Sequence, residues 1–172
     1  FNWLENSKYP SLSVPSPEYN GLNFSETFGD LAYTMFSHAI SLRDLGCSQS
    51  PMNAWITLNG IETLPLRMER HCSNALSVAR FLENHSNVEW VSYAGLTSST
   101  YYELGRKFLP KGAGSVFSFG IKGGFESGIK MLENVELFSH VANFGDSRSL
   151  ILHPASTTHR QLSEEQRISA GA

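Results

Sequence analysis

Residues 149–159, the most informative stretch of the chain, have the sequence Ser149-Leu150-Ile151-Leu152-His153-Pro154-Ala155-Ser156-Thr157-Thr158-His159. Its largely apolar beginning predicts a strand over 149–152. Pro154 has no N–H to donate, so it ends that strand. Short polar side chains at strand ends often hold a ligand in α/β proteins. Ser149 is therefore a candidate ligand-binding residue, and the alternative is an ordinary strand-end hydroxyl.

The two histidines of this stretch raise two other possibilities, a metal site and a hydrolase triad with Asp146 and Ser149. His153 and His159 are six positions apart, and no Cys or carboxylate nearby completes a ligand set. Metal-binding pairs are usually spaced by about three to five positions. A hydrolase of the common α/β type would carry a Gly-x-Ser-x-Gly turn, which the sequence lacks. We therefore expect neither a metal ion nor a hydrolytic triad.

Two further sequence patterns resemble functional motifs, but only weakly. Lys111-Gly112-Ala113-Gly114-Ser115 is rich in glycine but lacks the Gly-Lys-Ser/Thr of a phosphate loop and precedes a strand, so it predicts a plain loop. His71 and Cys72 are adjacent on a predicted helix and therefore point apart, which argues against a nucleophile and base pair. The sequence thus places no catalytic residue at either position.

Outward from residue 149, the second half of the chain alternates strands with helices. Alternating apolar and polar residues predict the strands, and periods of three to four residues predict the helices. The resulting order, β-α-β-α-β-α, indicates a small α/β domain. The predicted strands are 88–93, 114–121 and 149–152, and the predicted helices are 98–109, 126–141 and 162–170, the last with Ser163 as its N-cap.

The first half is predicted to be helical after an irregular start. Residues 1–29 contain three prolines but also aromatic side chains, so we expect an irregular segment that packs on other residues. One helix is predicted over 30–45, with Gly46 as its end. A second is predicted over 50–60, with Ser50 as its N-cap, and it is apolar on most sides and therefore expected to be buried. A third helix over 63–84, with Thr63 as its cap, would be roughly 30 Å long.

Composition narrows the classes of function. The chain has 172 residues, a net charge of -3, 41% hydrophobic and 17% charged residues. It contains no basic block and no apolar run of membrane-spanning length, so we expect neither nucleic acid nor a membrane as a partner. Two cysteines, Cys47 and Cys72, do not form a disulfide framework and are typical of a reducing compartment, so we expect a cytoplasmic protein.

Four separated motifs resemble one family, the PLP-dependent (pyridoxal-phosphate-dependent) enzymes of Cys/Met metabolism. The resemblance covers nearly the whole chain, with the motifs in the family's order, and Ala94 departs from the usual proline. The motifs are Phe1-Asn2-Trp3, the helical region Ser50-Pro51-Met52-Asn53-Ala54-Trp55 with residues 60–71, the strand with Tyr93-Ala94-Gly95-Leu96, and residues 149–159. Thr157-Thr158-His159 and residues 161–166 are most similar to its O-acetylhomoserine sulfhydrylase branch.

This resemblance implies a fold class, an α/β fold of the type-I PLP-dependent transferases. Residues 1–84 would be the end of the large PLP domain and its bridging helices, and residues 85–172 an incomplete small C-terminal domain. The expected partners are an amino-acid substrate, the missing N-terminal part of the same protein, and further copies of the chain in a homotetramer.

The activity that the resemblance implies is γ-replacement of acetate by sulfide, which gives homocysteine for methionine biosynthesis. The cofactor lysine of the family stands in a Ser-x-Thr-Lys setting, which Lys8, Lys107, Lys111, Lys122 and Lys130 all lack. Only Ser149 carries over, as a substrate-binding residue beside the carboxylate site, so the chain alone is expected to be inactive. Alternatives are a sister enzyme, a cystathionine gamma-synthase or a methionine gamma-lyase, or a non-catalytic interaction module.

Overall fold

Two compact units, which meet in sequence between Leu58 and Asn59, make up the chain. The structure, a computed structural model, describes residues 2–5 and 7–170. Phe1 of the Phe1-Asn2-Trp3 motif lies outside the described residues. The predicted division into domains at residues 84 and 85 stays a prediction.

The first unit is built from short helices. Their apolar side chains meet in one core, in which Leu12, Phe24 and Ala32 are buried. The helices are α1 (Pro10–Ser13), α2 (Phe24–Phe28) and α3 (Ala32–Phe36), with 3-10 turns at Pro17–Tyr19 and Gly29–Leu31 and a π-helical segment at Ser37–Asp44.

The prediction that residues 1–29 are irregular is wrong in part, because α1 and α2 lie within them. Asn23 explains the second helix, since its side-chain oxygen accepts hydrogen bonds from the backbone N–H groups of Ser25 and Glu26. The expectation that the aromatic residues pack is confirmed by Phe24, which is 1% exposed and lies edge-on to Tyr19.

The helix predicted over 30–45 is found as three consecutive helical segments, a 3-10 turn, α3 and the π-helical segment. Its second half is a π-helix, in which the Leu45 N–H donates to the Ile40 carbonyl at 2.9 Å, five positions back. Tyr19 holds the end of the π-helical segment, because its hydroxyl donates to Asp44 and accepts from Arg43. Gly46 ends the segment with a φ of 72°, as the sequence predicts.

Helix α4 (Pro51–Glu62) begins as predicted, because the Ser50 hydroxyl accepts a hydrogen bond from the Asn53 N–H at 3.2 Å. The prediction that this helix is buried is wrong. Met52 is 63% exposed and Leu58 60%, and Trp55 and Ile56 are also exposed. An apolar helix can be buried only where another surface covers it, and the described residues leave these side chains in solvent.

The second unit holds the predicted α/β pattern in shortened form. Every predicted helix of this half is found, although α6 and α7 are shorter than expected. Its elements are α5 (Leu64–Glu83), β1 (Val88–Ser92), α6 (Tyr102–Phe108), β2 (Ser118–Ile121), α7 (Gly124–Glu133), a 3-10 turn (Pro154–Ser156) and α8 (Glu164–Ala170).

Strands β1 and β2 form an antiparallel pair, with Val91 opposite Phe119 and Ser92 opposite Ser118. The core lies between β1 and α5. Ala79 of α5 is fully buried, and Tyr93 at the end of β1 is 4% exposed. The Tyr93 hydroxyl donates to the Gly114 carbonyl at 2.8 Å, so the segment that leads into β2 is held against this core.

The third predicted strand, 149–152, is reduced to one parallel bridge between Ser139 and Leu150. The Ser139 N–H donates to the Ser149 carbonyl at 2.9 Å, and the Ile151 N–H donates to the Ser139 carbonyl at 3.1 Å. Helix α7 ends at Glu133 and not at residue 141 as predicted, which leaves Ser139 outside the helix and available for this bridge.

Helix α8 begins with the predicted cap. The Ser163 hydroxyl accepts from the Gln166 N–H at 3.3 Å, and the Gln166 side-chain oxygen accepts from the Ser163 N–H at 2.9 Å. This reciprocal pair is a capping box. At the start of α5 the predicted cap is absent, because Thr63 makes no side-chain capping bond and its hydroxyl donates to the Asn59 carbonyl instead.

We expect Tyr93→Phe to lower the free energy of unfolding by about 1 kcal/mol, because the half-buried Gly114 carbonyl would lose its hydrogen bond. Chemical denaturation of the chain and its variant measures this difference. Tyr101→Phe is the matched control, since Tyr101 is 64% exposed and a surface change has little effect. Equal losses in the two variants would contradict this account of the core.

Candidate substrate-binding wall

Ser149 lies at the bridge that replaces the third strand. Its backbone carbonyl is bonded to the Ser139 N–H, and its side chain is exposed. Among the described residues, no hydrogen bond engages the Ser149 hydroxyl. A hydroxyl held on a fixed backbone and left open can donate to a ligand.

The carboxylate nearest in sequence to Ser149, that of Asp146, is paired with an arginine. Asp146 forms a double contact with the Arg148 guanidinium, at 3.0 and 3.1 Å, and also accepts from the Arg148 backbone N–H. These hydrogen bonds hold the pKa of the Asp146 carboxyl well below its usual range. A carboxylate of such low basicity is a poor general base.

The two histidines are also engaged, each with a neighbouring hydroxyl. Nδ1 of His153 lies 2.9 Å from the Ser156 Oγ, and Nδ1 of His159 lies 2.9 Å from the Thr158 Oγ1. The structure therefore does not bring Asp146, Ser149 and the histidines together as a hydrolase triad. Within the ranges 2–5 and 7–170, no cluster of three or more His, Cys, Asp or Glu could hold a metal ion.

The turn after Ser149 is fixed by the His153 backbone carbonyl. This oxygen accepts from the Ser156 N–H at 3.2 Å and from the Thr157 hydroxyl at 2.8 Å. The His159 N–H closes the next turn by donating to the Pro154 carbonyl at 2.8 Å. Residues 153–159 thus form a tightly bonded turn, and their hydroxyl groups bond locally.

The His153 ring is half-buried against α7 and α8. It packs edge-on to Phe125, with ring centroids 5.0 Å apart. Burial lowers the pKa of the His153 imidazole, and the positive charges of Arg167 and His140 lower it further. At neutral pH the ring is therefore uncharged, which suits a side chain packed on an aromatic ring beside a guanidinium.

An open groove of about 510 Å³ borders this ring, and Ser149 is not among the residues that line it. Arg167 lines the groove, donates to the Ala155 carbonyl at 3.3 Å and lies 6.0 Å from the centre of the Phe125 ring. The sequence did not single out Arg167 or Phe125. A glycine inside an amphipathic helix often indicates a close contact, and Gly128 could in this way have pointed to the contact that His153 makes on α7.

The residues of this chain do not fit a complete PLP site. A lysine that holds PLP must lie in a sheltered pocket, where its amine loses its charge more readily. All five lysines of the sequence are exposed, so none has the sheltered environment that a PLP-binding lysine needs. The loop with Gly112 and Gly114 lies before β2 and packs against Cys72, so it is no helix-start phosphate cradle.

Residues 20–172 match the family of Cys/Met metabolism PLP-dependent enzymes. The chain belongs to this family. The predicted family and fold class are therefore confirmed.

Two relatives match nearly the whole chain. A homocysteine synthase of Schizosaccharomyces pombe is 46% identical over 99% of this chain, and an O-acetyl-L-homoserine sulfhydrylase of Leptospira meyeri is 47% identical over the same share. In both comparisons the chain spans 40% of the relative's length.

A solved structure from Campylobacter jejuni, described as an O-acetylhomoserine (thiol)-lyase, has the same fold. It matches with a TM-score of 0.82 and 42% identity, over 97% of this chain and 39% of that chain. That protein carries an N'-pyridoxyl-lysine-5'-monophosphate residue. The TM-score over nearly the whole chain supports the arrangement of helices and strands described above.

The His153 environment predicts a loss of stability with acid. Because the pKa of His153 is lowered in the folded chain, the unfolded chain binds more protons as the pH falls through about 6.5. The free energy of unfolding should therefore fall from neutral pH downwards through this window, until the folded imidazole also titrates. Denaturation curves at successive pH values, for the chain and for His153→Asn, measure the effect. An unchanged pH slope in the variant would contradict it.

Proposed function

We propose that the chain is the C-terminal part of a PLP-dependent O-acetylhomoserine sulfhydrylase. The observation that carries this proposal is the identity of 46% and 47%, over 99% of the chain, to proteins named homocysteine synthase and O-acetyl-L-homoserine sulfhydrylase. In the proposed reaction the bond between the γ-carbon and the acetyl oxygen breaks, and acetate leaves. Sulfide forms a new bond to that carbon, and the product is homocysteine.

The contribution of this chain is to bind the amino-acid substrate. Ser149 would donate a hydrogen bond from its hydroxyl to the substrate carboxylate, and the exposure of its side chain supports this role. A hydrogen bond to a charged group contributes about 1.5–3 kcal/mol. Asp146 and Arg148 would keep their own pair, because that contact already uses both carboxylate oxygens.

The cofactor belongs to the complete enzyme. PLP, when bound there, supplies the electron sink for a carbanion. The lysine that attaches it would come from the part of the enzyme that precedes this chain, since the exposed lysines of the chain do not suit that task. We therefore expect the 172 residues by themselves to have no activity.

Helix α4 supports the proposal that the rest of the enzyme covers this chain. Trp55 and Ile61 are 61% and 56% exposed, and Leu66 at the start of α5 is 72% exposed. Exposed apolar side chains of this size are typical of a surface where other protein packs. The occupant would be the N-terminal part of the same protein, within a cytoplasmic homotetramer. Among the described residues, no helix is long and apolar enough to cross a membrane.

The experiment is an assay of the full-length, PLP-loaded protein with O-acetylhomoserine and sulfide. We expect acetate and homocysteine to appear in equal amounts. Turnover of methionine or cystathionine, with none of O-acetylhomoserine, would contradict the proposal in favour of a sister enzyme. The absence of any turnover by PLP-loaded protein would favour a non-catalytic module.

In the same assay, Ser149→Ala should raise KM for O-acetylhomoserine roughly tenfold, because the lost hydrogen bond to the carboxylate is worth at least about 1.4 kcal/mol. Ser147→Ala is the matched control, since Ser147 is an exposed serine of the same segment and should keep the original KM. Equal KM values for the two variants would contradict the role of Ser149.

A further inference from the structure

The imidazole of His153 lies where a side chain at position 128 would otherwise be. A Cβ added to Gly128 would stand 2.7 Å from Nε2 and 2.8 Å from Cδ2 of His153. Glycine inside a helix costs about 0.5–1 kcal/mol relative to alanine. Gly128 does not need a left-handed backbone, so the close approach of the ring is what favours glycine there.

The ring cannot swing away from this position without losing other contacts. Phe125 lies one helical turn before Gly128 on the same face of α7 and packs edge-on against the imidazole. On the opposite edge, Nδ1 is bonded to the Ser156 hydroxyl at 2.9 Å. The imidazole therefore has a fixed orientation, and it anchors residue 153 to α7.

This anchor and the bridge at Ser139 hold the two ends of one short segment. Ser149 and Leu150 are fastened at the bridge, and three residues later the His153 ring is fastened on α7. An extended chain has little slack over three residues, because each spans about 3.3 Å. A shift of residue 153 is therefore transmitted to the backbone that carries Ser149.

We infer that His153 is a positioning residue: seated on Gly128, it sets where the Ser149 hydroxyl lies and hence the affinity for the amino-acid substrate. This inference rests on the proposed function, because Ser149 must bind the substrate. The reacting γ-carbon is remote from the carboxylate that Ser149 would bind. A displaced Ser149 therefore weakens binding of the substrate in the ground state and in the transition state alike. This raises KM and leaves kcat nearly unchanged.

The test is a double-mutant cycle on the full-length, PLP-loaded enzyme, with Gly128→Ala, His153→Ala and the double variant. Gly128→Ala should raise KM for O-acetylhomoserine roughly tenfold, the cost of a lost hydrogen bond to a carboxylate. His153→Ala should raise KM as well, because the anchor is gone. In the His153→Ala background, Gly128→Ala should add nothing, because the added methyl group then meets no ring.

Lys130→Ala is the matched control on the same helix, since Lys130 is exposed and should keep both kinetic constants. The thermal unfolding midpoint of each variant shows whether a change in KM comes from a displaced Ser149 or from a loss of folded protein. If Gly128→Ala alone fails to fold, recovery of folding in the double variant supports the same contact, and failure to recover overturns it.

Three results distinguish the inference from the function on which it rests. A wild-type enzyme without O-acetylhomoserine turnover overturns the proposed function and the inference together. A wild-type enzyme with that turnover, and an unchanged KM in Gly128→Ala, overturns the inference alone. An equal KM increase from Gly128→Ala with and without the His153→Ala substitution also overturns it, because the effect would then not pass through the imidazole.

Discussion

Close packing of helix α5 against strand β1 is the contact on which the second unit depends. Ala79 has no exposed surface, and this small side chain lets the helix approach closely enough to bury Tyr93. The Tyr93 hydroxyl then holds Gly114, which fixes the entry into β2. Strand β2 leads directly into α7, and α7 carries the surface on which the His153 ring rests.

The candidate wall offers a hydrogen-bond donor more clearly than a general base. Asp146 is paired with Arg148, which lowers the pKa of its carboxyl and makes it a poor general base. The Ser149 hydroxyl is exposed and lacks such a partner within the described residues. One wall of a substrate pocket needs only an available hydrogen-bond donor of this kind, provided that another part of the enzyme supplies the cofactor and the reacting groups.

The sequence predicted well wherever local signals decide the structure. The Ser50 cap of α4 and the capping box at Ser163 are local hydrogen bonds between near neighbours, and both were found where expected. It predicted poorly where partners are distant. The single bridge at Ser139 and the seating of His153 on Gly128 depend on contacts between residues far apart in the chain, which periodicity does not encode. The apolar pattern of α4 indicates that the helix needs a covering surface but does not indicate which surface covers it. Its apolar side chains are exposed here.

We propose that this chain supplies a substrate-binding wall and that the cofactor lysine lies elsewhere in the enzyme. Borohydride reduction of the full-length, PLP-loaded protein, followed by peptide mass spectrometry, locates that lysine. We expect the pyridoxyl label on a lysine outside residues 1–172. A label on Lys8, Lys107, Lys111, Lys122 or Lys130 would contradict the account, because each of these side chains is exposed here.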